Sequence, residues 1–331
     1  MRNQYLGDVG DYGKYGLLRF LAGNGIKIGV NWYLTEDDGS NDGKFVTYLN
    51  KSEERRYDPE LYDALKIIVN STNKEVDLVE SRGLIKNAVY YNVLLKSKDI
   101  DSNARTSARD EWHKNALKQL HDADLIFADP DNGIIGSKTV RDREAEKFIT
   151  PEEIKAYYDS GQNVVYYCQK ARRTEVQWER TKSEMLKYIP ESKIIVLTFH
   201  RGTQRSYIFV IHPEQNGKYV DLMRVFLQGP WGELFTEESA QNVVGKEKAP
   251  ISSIKKETKM RTERSEKKLK TTEPGYVNRN GQENMGKTME MGTDHGQWFY
   301  KMKCQKCCHI YKANGSDIFQ RKCPRCQGGR P

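Results

Sequence analysis

Long apolar runs are missing from this sequence. None approaches the ~18 consecutive residues that a membrane-spanning helix needs. The first ten residues, MRNQYLGDVG, also lack the apolar core of a secretory signal. We therefore expect a cytoplasmic protein with no membrane-embedded segment.

Cysteine is scarce and unevenly distributed. Of the six cysteines in 331 residues, only Cys168 precedes residue 300, and the other five fall within the last 28 residues. The evenly spread, paired cysteines of small secreted domains are absent, which argues against a fold held together by disulfides. Cys168 lies in the apolar run VVYYCQ and is predicted to be a core residue.

Excess positive charge is absent from most of the chain. The net charge of +8 arises from 54 Lys and Arg against 46 Asp and Glu, but 20 basic and only 11 acidic residues fall at 237–331. That segment therefore carries +9, and residues 1–236 carry −1. DNA or RNA is accordingly expected to bind the C-terminal part of the protein. The hydrophobic content of 37% supports a packed core and excludes a wholly disordered chain.

Apolar patterns predict alternating helices and strands over most of the chain. This alternation favours an α/β fold with a doubly wound, mostly parallel sheet, because parallel strands need crossover helices. The short link at 200–205 implies that the last two strands form an antiparallel hairpin. The predicted strands are 27–34, 88–91, 123–129, 163–168, 193–199 and 206–212, and the predicted helices are 11–21, 58–69, 108–120, one beginning at 150, and 174–188.

The alternating pattern stops near residue 236 and divides the chain into three predicted parts. Residues 1–235 form a Rossmann-like α/β domain, 236–272 a basic charged linker, and 273–331 a small zinc ribbon. The linker composition is typical of a solvated segment, which is compatible with a basic arm that follows nucleic-acid phosphates.

Four cysteines give the strongest motif. Cys304 and Cys307 form one Cys-x2-Cys pair, fifteen residues separate it from a second, and Cys323 and Cys326 form that second pair. Two such knuckles can hold one Zn²⁺ tetrahedrally, and four protein ligands make the ion structural rather than catalytic. A disulfide or redox role is the alternative. Cys308, which follows Cys307 directly, is a competing ligand.

The predicted ribbon also interleaves cations with aromatic residues. Arg321, Lys322 and Arg325 are candidates for contact with nucleic acid, because cations can bind phosphates while aromatic rings stack on bases. The alternative is that the rings form the small core and the cations only solubilise it. The segments PGYVNRNGQ, GTDHGQ and ANGSDIFQRKCPRCQGG resemble a portable C-terminal zinc-ribbon module of otherwise different bacterial proteins.

Polar residues follow the clearest predicted strand. Asp129, Pro130, Asp131 and Asn132 come directly after residues 123–128. Ligands of open α/β sheets bind outside the carboxyl ends of the strands, so Asp129, Asp131 and Asn132 are candidate catalytic residues.

At this tetrapeptide the chain resembles class I, Rossmann-like methyltransferases that act on nucleic-acid amino groups. Those enzymes carry (D/N)PP(Y/F) after the fourth strand and end in an antiparallel strand pair. The opening segment GDVGDYGKYGLL resembles that of ribosomal-RNA adenine methyltransferases. The resemblance implies S-adenosylmethionine as cofactor and Asp129 as the group that binds the target amine. It also implies that the methyl donor is bordered by Asp8, Asp11, Lys14, Asp37 and Asp38.

The sequence departs from that pattern and keeps two other functions open. Asp131 and Asn132 replace the second proline and the aromatic residue, and the loop TEDDGSNDG has no Gly-x-Gly. The acidic loops, which also include Asp42, suit Mg²⁺-dependent hydrolysis of a phosphodiester. A non-catalytic nucleic-acid sensor is the third possibility.

Two basic segments of the α/β domain complete the candidate site. Both follow or join predicted strands, where guanidinium groups can hold a phosphate backbone while Asp129 contacts the base. The alternative is that they pair with nearby acids. The candidates for contact with nucleic acid here are Lys170, Arg172, Arg173, His200, Arg201 and Arg205.

Overall fold

The computed structural model describes residues 1–39, 45–71, 74–96, 100–135, 140–142, 144–238, 271–292, 298–315 and 317–329. The chain divides into two compact units, Met1–Ala249 and Pro250–Pro331. Most of the predicted basic linker, residues 239–270, lies outside the described residues.

Helices and strands alternate in the first unit, as the apolar pattern predicts. The strands are β1 (Ile28–Asn31), β2 (Val89–Tyr91), β3 (Leu125–Ala128), β4 (Asn163–Cys168), β5 (Lys193–Phe199), β6 (Arg205–Ile211) and β7 (Phe235–Glu238). The α-helices are α1 (Val9–Gly23), α2 (Pro59–Val69), α3 (Asp77–Ser81), α4 (Arg105–Gln119), α5 (Pro151–Asp159), α6 (Glu175–Lys182) and α7 (Asn216–Gln228).

The seven strands form one sheet in the order β2-β1-β3-β4-β6-β5-β7. Strands β1 to β4 pair in parallel, and β6 pairs antiparallel with both β4 and β5. The doubly wound, mostly parallel sheet with a terminal antiparallel hairpin is therefore confirmed. Strand β7 adds to β5, so the sheet extends to Glu238, beyond the boundary placed at residue 235.

Hydrophobic packing covers both faces of this sheet. On one face, Leu17 of α1, Leu61 of α2 and Phe226 of α7 belong to a single buried cluster. On the other face, Trp112 of α4 and Ile154 of α5 belong to a second cluster with Cys168, which is a core residue as predicted. Because helices cover both faces of the sheet, a ligand can reach it at the carboxyl ends of the parallel strands.

Local sequence signals fix where several helices begin. Asp58 caps α2 by accepting a hydrogen bond from the Leu61 amide, and Pro59 takes the first helical position. Thr150 and Glu153 form the predicted capping box at the start of α5. These caps satisfy backbone amides that have no partner within the helix.

Helix α1 packs closely against the sheet and the turn before β7. Glycines recur at every third position from Gly10 to Gly16, and they put one side-chain-free face against its neighbours. A β-carbon at Gly13 would lie 2.7 Å from the Phe199 ring, and one at Gly16 would overlap the Trp231 ring. The small residues therefore allow these rings to pack directly on the helix backbone.

The second unit contains a three-stranded antiparallel sheet. Its strands are β8 (Gln282–Met291), β9 (Trp298–Cys304) and β10 (Ile310–Asn314), in the order β10-β9-β8. Its small core includes Met302, Tyr311 and Ile318. The unit is compatible with the predicted zinc ribbon.

Among the described residues, no helix combines the length and the apolar character that spanning a membrane requires.

Substitution of Gly13 tests the close approach of α1. We expect Gly13→Ala to lower the free energy of unfolding by about 1–3 kcal/mol, because the fully buried Phe199 ring has no room to move away. The measurement is urea denaturation followed by circular dichroism.

Gly23→Ala provides the matched control in the same helix. A β-carbon at Gly23 meets no atom within 4 Å. We expect Gly23→Ala to raise the free energy of unfolding by between zero and about 1 kcal/mol, because alanine favours helix more than glycine does. Equal effects of the two substitutions would contradict the packing interpretation.

Candidate functional site

A cavity of about 390 Å³ opens at the carboxyl edge of the large sheet. The end of β3, the end of β4, the start of α1 and the loop before β6 contribute to its wall. Its volume falls within the range of small-molecule sites. The sequence-predicted residues that it brings together are Asp8, Asp11, Lys14, Asp38, Asp129, Asp131, Asn132 and Arg205.

The start of α1 holds two of these carboxylates in place. Asp8 caps the helix by accepting a hydrogen bond from the Asp11 amide at 2.9 Å. Asp11 in turn accepts a hydrogen bond from the Gly7 amide at 2.9 Å. Gly7 has a φ of +85°, a conformation that glycine adopts without strain. The segment GDVGD therefore builds the helix start and points its acids at the cavity.

Lys14 lies at the centre of a buried ionic triad. Its Nζ is 2.6 Å from Oδ2 of Asp129 and 2.7 Å from Oδ1 of Asp11. All three residues are at most 6% exposed. The triad joins the first turns of α1 to the residue that follows β3, and it places two carboxyl groups around one ammonium group.

Burial and charge act in opposite directions on the triad. Burial raises the pKa of Asp129 and of Asp11 above the ordinary value, and the Lys14 ammonium opposes that rise. Burial lowers the pKa of Lys14, but the two carboxylates raise it more, and the net direction is upward. Lys14 therefore remains protonated and favours the ionised form of both acids.

Asp129 keeps one carboxylate oxygen available. Its amide donates to the Asn31 carbonyl at 3.0 Å, which holds the residue at the end of β3 beside β1. Its Oδ2 accepts from Lys14, whereas its Oδ1 has no hydrogen-bond partner among the described residues. Because the cavity is lined by Asp129, this oxygen can accept a hydrogen bond from a bound molecule.

Met1 fills the crevice between the ends of β1 and β3. Its main-chain nitrogen lies 2.8 Å from the Asp129 carbonyl oxygen and 3.2 Å from the Tyr33 carbonyl oxygen. The same nitrogen is 2.8 Å from Oδ1 of Asp131. Its Sδ is 3.8 Å from Nζ of Lys14. Strands β2 and β3 pair with opposite edges of β1, so the strand order reverses here, and doubly wound folds bind their ligands at such a point.

The other acidic candidates lie on the rim beside Met1 and Arg2. Arg2 forms ion pairs with Asp38 and, at 3.4 Å, with Asp131. Asp37 accepts a hydrogen bond from the Gln4 amide at 3.1 Å. Asp42 lies outside the described residues. The carboxylates of Asp37, Asp38 and Asp131 thus already contact groups of the chain itself.

Asn132 and Arg205 complete the polar wall. Asn132 accepts a hydrogen bond from the Gln169 side chain at 3.4 Å, and its amide donates to the Lys147 carbonyl at 2.9 Å. Arg205 lies 3.0 Å from Asp8 and rests against Gly10. Gly10 is therefore needed for the close approach of this guanidinium to α1.

The remaining basic candidates of the first unit do not converge on the cavity. Lys170 pairs with Glu175, and Arg201 pairs with Glu54. His200 contacts the Thr236 hydroxyl at 2.7 Å, and Arg173 donates to the Gln169 carbonyl at 2.6 Å. Arg172 is exposed. Of the six, Arg205 alone is among the residues that line this cavity.

Aromatic residues that sequence reasoning did not assign to the site also line the cavity. Tyr167 comes from β4, Tyr5 from the segment before α1, and Phe45 from the residues before α2. Phe45 is 60% exposed. Residues 129–132 supply no aromatic ring. In the sequence, only the alternation of side chains along β4 could have indicated that Tyr167 belongs to the site.

The four predicted cysteines form a second site in the C-terminal unit. Their sulfur atoms all lie within 4.8 Å of one another, and two pairs, Cys304–Cys326 and Cys307–Cys323, are 3.6 Å apart. A tetrahedral ion with Zn–S bonds of about 2.3 Å places its sulfur ligands about 3.8 Å apart. The cluster therefore fits a metal ion and is compatible with Zn²⁺. Cys308 is exposed and lies outside this group of four.

The surroundings of Cys304 suit a thiolate ligand. Burial raises its pKa, but the backbone amides of Cys307 and Lys306 and the Gln282 side chain outweigh that effect and lower the pKa to about 6. The Gln282 side-chain amide lies 3.6 Å from Sγ. Amide hydrogens around a thiolate sulfur favour metal binding, because the ligand must be deprotonated.

The ribbon cations differ in their surroundings. Arg321 is largely buried and lies 3.3 Å from Asp317, and its carbonyl accepts hydrogen bonds from Asn278 and Asn280. Arg325 is exposed, and Lys322 is exposed too. Arg321 therefore contributes to the structure of the ribbon, whereas Lys322 and Arg325 are accessible.

Comparison with protein-family models and with curated proteins gives no match. Among solved structures, the chain is similar to protein LPL1258 from Legionella pneumophila, whose crystal structure is described with the family name DUF519. The two are 13% identical, and the match covers 70% of this chain and 96% of that one with a TM-score of 0.37. Similarity at this level supports no inference about function.

Replacement of Lys14 tests the ionic triad. We expect Lys14→Met to lower the free energy of unfolding at pH 7 by about 3–5 kcal/mol, because it leaves two buried carboxylates without their cation. Without Lys14 the pKa of both acids rises further, so the folded state binds more protons than the unfolded state. The loss should therefore shrink as the pH falls from 7 to 5.

Denaturant titrations at several pH values measure this effect. Lys155→Met is the control, because Lys155 forms an exposed pair with Asp159 and its loss should change stability by less than about 0.5 kcal/mol. A loss for Lys14→Met that is the same at pH 5 and pH 7 would show that the carboxylates are not responsible.

The cysteine cluster predicts one bound zinc ion per chain. We expect Cys323→Ser to abolish zinc binding, and Cys308→Ser to retain one ion, because only the first belongs to the group of four. Zinc content measured by atomic emission on the purified full-length variants distinguishes them. Loss of zinc in Cys308→Ser would contradict the ligand set.

Proposed function

We propose that the α/β domain is an S-adenosylmethionine-dependent methyltransferase that acts on a base amino group of a nucleic acid. The observation that carries the proposal is the position of Asp129 directly after β3, with Oδ2 held by Lys14 and Oδ1 without a hydrogen-bond partner among the described residues. A fixed acceptor at the carboxyl edge of a doubly wound sheet suits recognition of an exocyclic amine.

Asp129 and Lys14 have complementary roles in this proposal. Oδ1 of Asp129 accepts a hydrogen bond from the amine and orients its nitrogen. Lys14 is a positioning residue: it fixes the Asp129 carboxylate and opposes the rise in its pKa that burial causes. A protonated Asp129 would lose acceptor capacity, so activity should decline on acidification.

The aromatic lining supports a base as the substrate. Tyr167 lines the cavity together with Asp129, and Phe45 lies partly exposed at its border. A base that leaves its stack needs an apolar surface on which to pack, and aromatic rings supply it. These rings take the place of the aromatic residue that the tetrapeptide lacks.

The contacts of Met1 support the choice of methyl donor. Its nitrogen is bound by two carbonyl oxygens and by Asp131, and its thioether lies beside Lys14. The same two carbonyl oxygens and the Asp131 carboxylate can accept hydrogen bonds from the amino group of S-adenosylmethionine. In the proposal these acceptors would hold the amino group of the cofactor, which when bound would supply the methyl group.

The arrangement of charges favours methyl transfer over Mg²⁺-dependent hydrolysis. Asp8 pairs with Arg205, Asp11 and Asp129 share Lys14, and Asp131 pairs with Arg2. In the described part of the chain, the four cysteines are the only group of three or more metal-ligating side chains whose ligand atoms lie close together. A hydrolytic metal site would need carboxylates that are free of such cations.

Transfer of radiolabelled methyl groups from S-adenosylmethionine to RNA and DNA pools tests the proposal. We expect Asp129→Ala to reduce incorporation at least about 100-fold, because it removes the acceptor that positions the amine. Asp159→Ala, which changes an exposed acid of α5, should retain full activity.

Donor binding gives a separate readout. S-adenosylmethionine should raise the melting temperature of the wild-type protein, because it binds the native state. Absence of both a shift at millimolar donor and incorporation into any nucleic-acid pool would exclude the methyltransferase.

A further inference from the structure

The outer face of the three-stranded sheet carries a cluster of lysines. Side chains alternate along β9, and Met302 and Cys304 point into the ribbon core, where both are fully buried. Phe299, Lys301 and Lys303 therefore lie on the opposite face. Lys303 is opposite Glu283 of β8 in the antiparallel register, and Lys301 forms no ion pair with any described residue.

A second strand adds charge to the same face. Lys312 of β10 is directly opposite Lys301 in the antiparallel register. Like charges at directly opposed positions of a sheet destabilise it. Lys312 is paired with Glu290 at 2.6 Å, but nothing comparable neutralises Lys301. On its other side Lys301 is opposite Gly286, which has no side chain to cover it.

The composition of this face favours binding of a polyanion that itself carries aromatic groups. The described part of the C-terminal unit contains nine Lys and Arg against four Asp and Glu, so the local field attracts anions. Phe299 continues the row of Lys301 and Lys303 and is partly exposed. Cations that bind phosphates, together with a ring that stacks on a base, are typical of sheets that bind single strands.

We propose that Phe299, Lys301, Lys303 and Lys312 bind a single strand of nucleic acid. The three lysines contact successive phosphates, and Phe299 stacks on a base whose face is open because the strand is unpaired. The inference rests on the proposed function for the class of substrate. In this inference the strand is bound by residues that are separate from those that line the Asp129 cavity.

Two double variants of the full-length, zinc-loaded protein test the proposal. Lys301→Gln with Lys312→Gln removes two charges from the outer face. Arg279→Gln with Lys287→Gln removes two charges elsewhere in the ribbon, where Lys287 lies 3.9 Å from the Trp298 ring on the other face. Fluorescence anisotropy with labelled twelve-nucleotide RNA and DNA single strands, at several salt concentrations, measures binding without any methyl donor.

We expect the outer-face variant to bind about tenfold more weakly, with a salt dependence reduced by about 1.4 in log–log slope, because two phosphate contacts are lost. The control variant should lose less than about threefold. Phe299→Ala should weaken binding at least about fivefold without changing the slope, because stacking involves no counterion release. Phe299→Leu retains apolar bulk, and it should show the same loss if stacking is responsible.

Three results would overturn the proposal: equal losses in the two double variants, equal competition by polyglutamate and by unlabelled single strand, or tighter binding of a duplex. Zinc content measured on each variant shows whether the ribbon has kept its fold. Strand binding that depends on Lys301 without any methyl transfer would refute the proposed function and leave this inference intact. Methyl transfer by the wild-type protein, together with unchanged strand binding by the outer-face variant, would refute this inference and leave the proposed function intact.

Discussion

The buried ion pair between Lys14 and Asp129 is the interaction on which the candidate site depends. It joins two elements that are 115 residues apart in sequence, the first helix and the end of β3. Because Asp11 shares the same ammonium, the triad also fixes the direction of the helix start. A charge buried at this depth is tolerated only when its partner is fixed, and rigid packing around α1 provides that condition.

Close packing of α1 follows from its glycines. They allow Arg205, Phe199 and Trp231 to touch the helix backbone, which brings the β5–β6 hairpin and the last turn of the domain against the same helix. The helix thus lies where Lys14 can reach β3 and where Arg205 can reach Asp8. A larger side chain at these positions would separate the charges that define the cavity.

Much of the fold could be predicted because its signals are local. Thr150 with Glu153, and Asp58 with Pro59, specify helix starts through contacts within four residues. Apolar runs specified the buried strands, although β1 ends at Asn31 rather than at residue 34, because the chain turns there to line the crevice. Helices α3 and α7 and strand β7 were not predicted. Strand β7 has two exposed polar residues, and its pairing with β5 depends on contacts distant in sequence.

The sequence by itself determined the alternating α/β pattern, the four clustered cysteines and the acidic residues after β3, since each depends on spacing along the chain. Only the tertiary structure decided which charges meet. It placed Lys14 on Asp129, paired Lys170 and Arg201 with acids, and brought Tyr167 into the cavity. Such partners are chosen by distances between elements far apart in sequence, and local pattern carries no information about those distances.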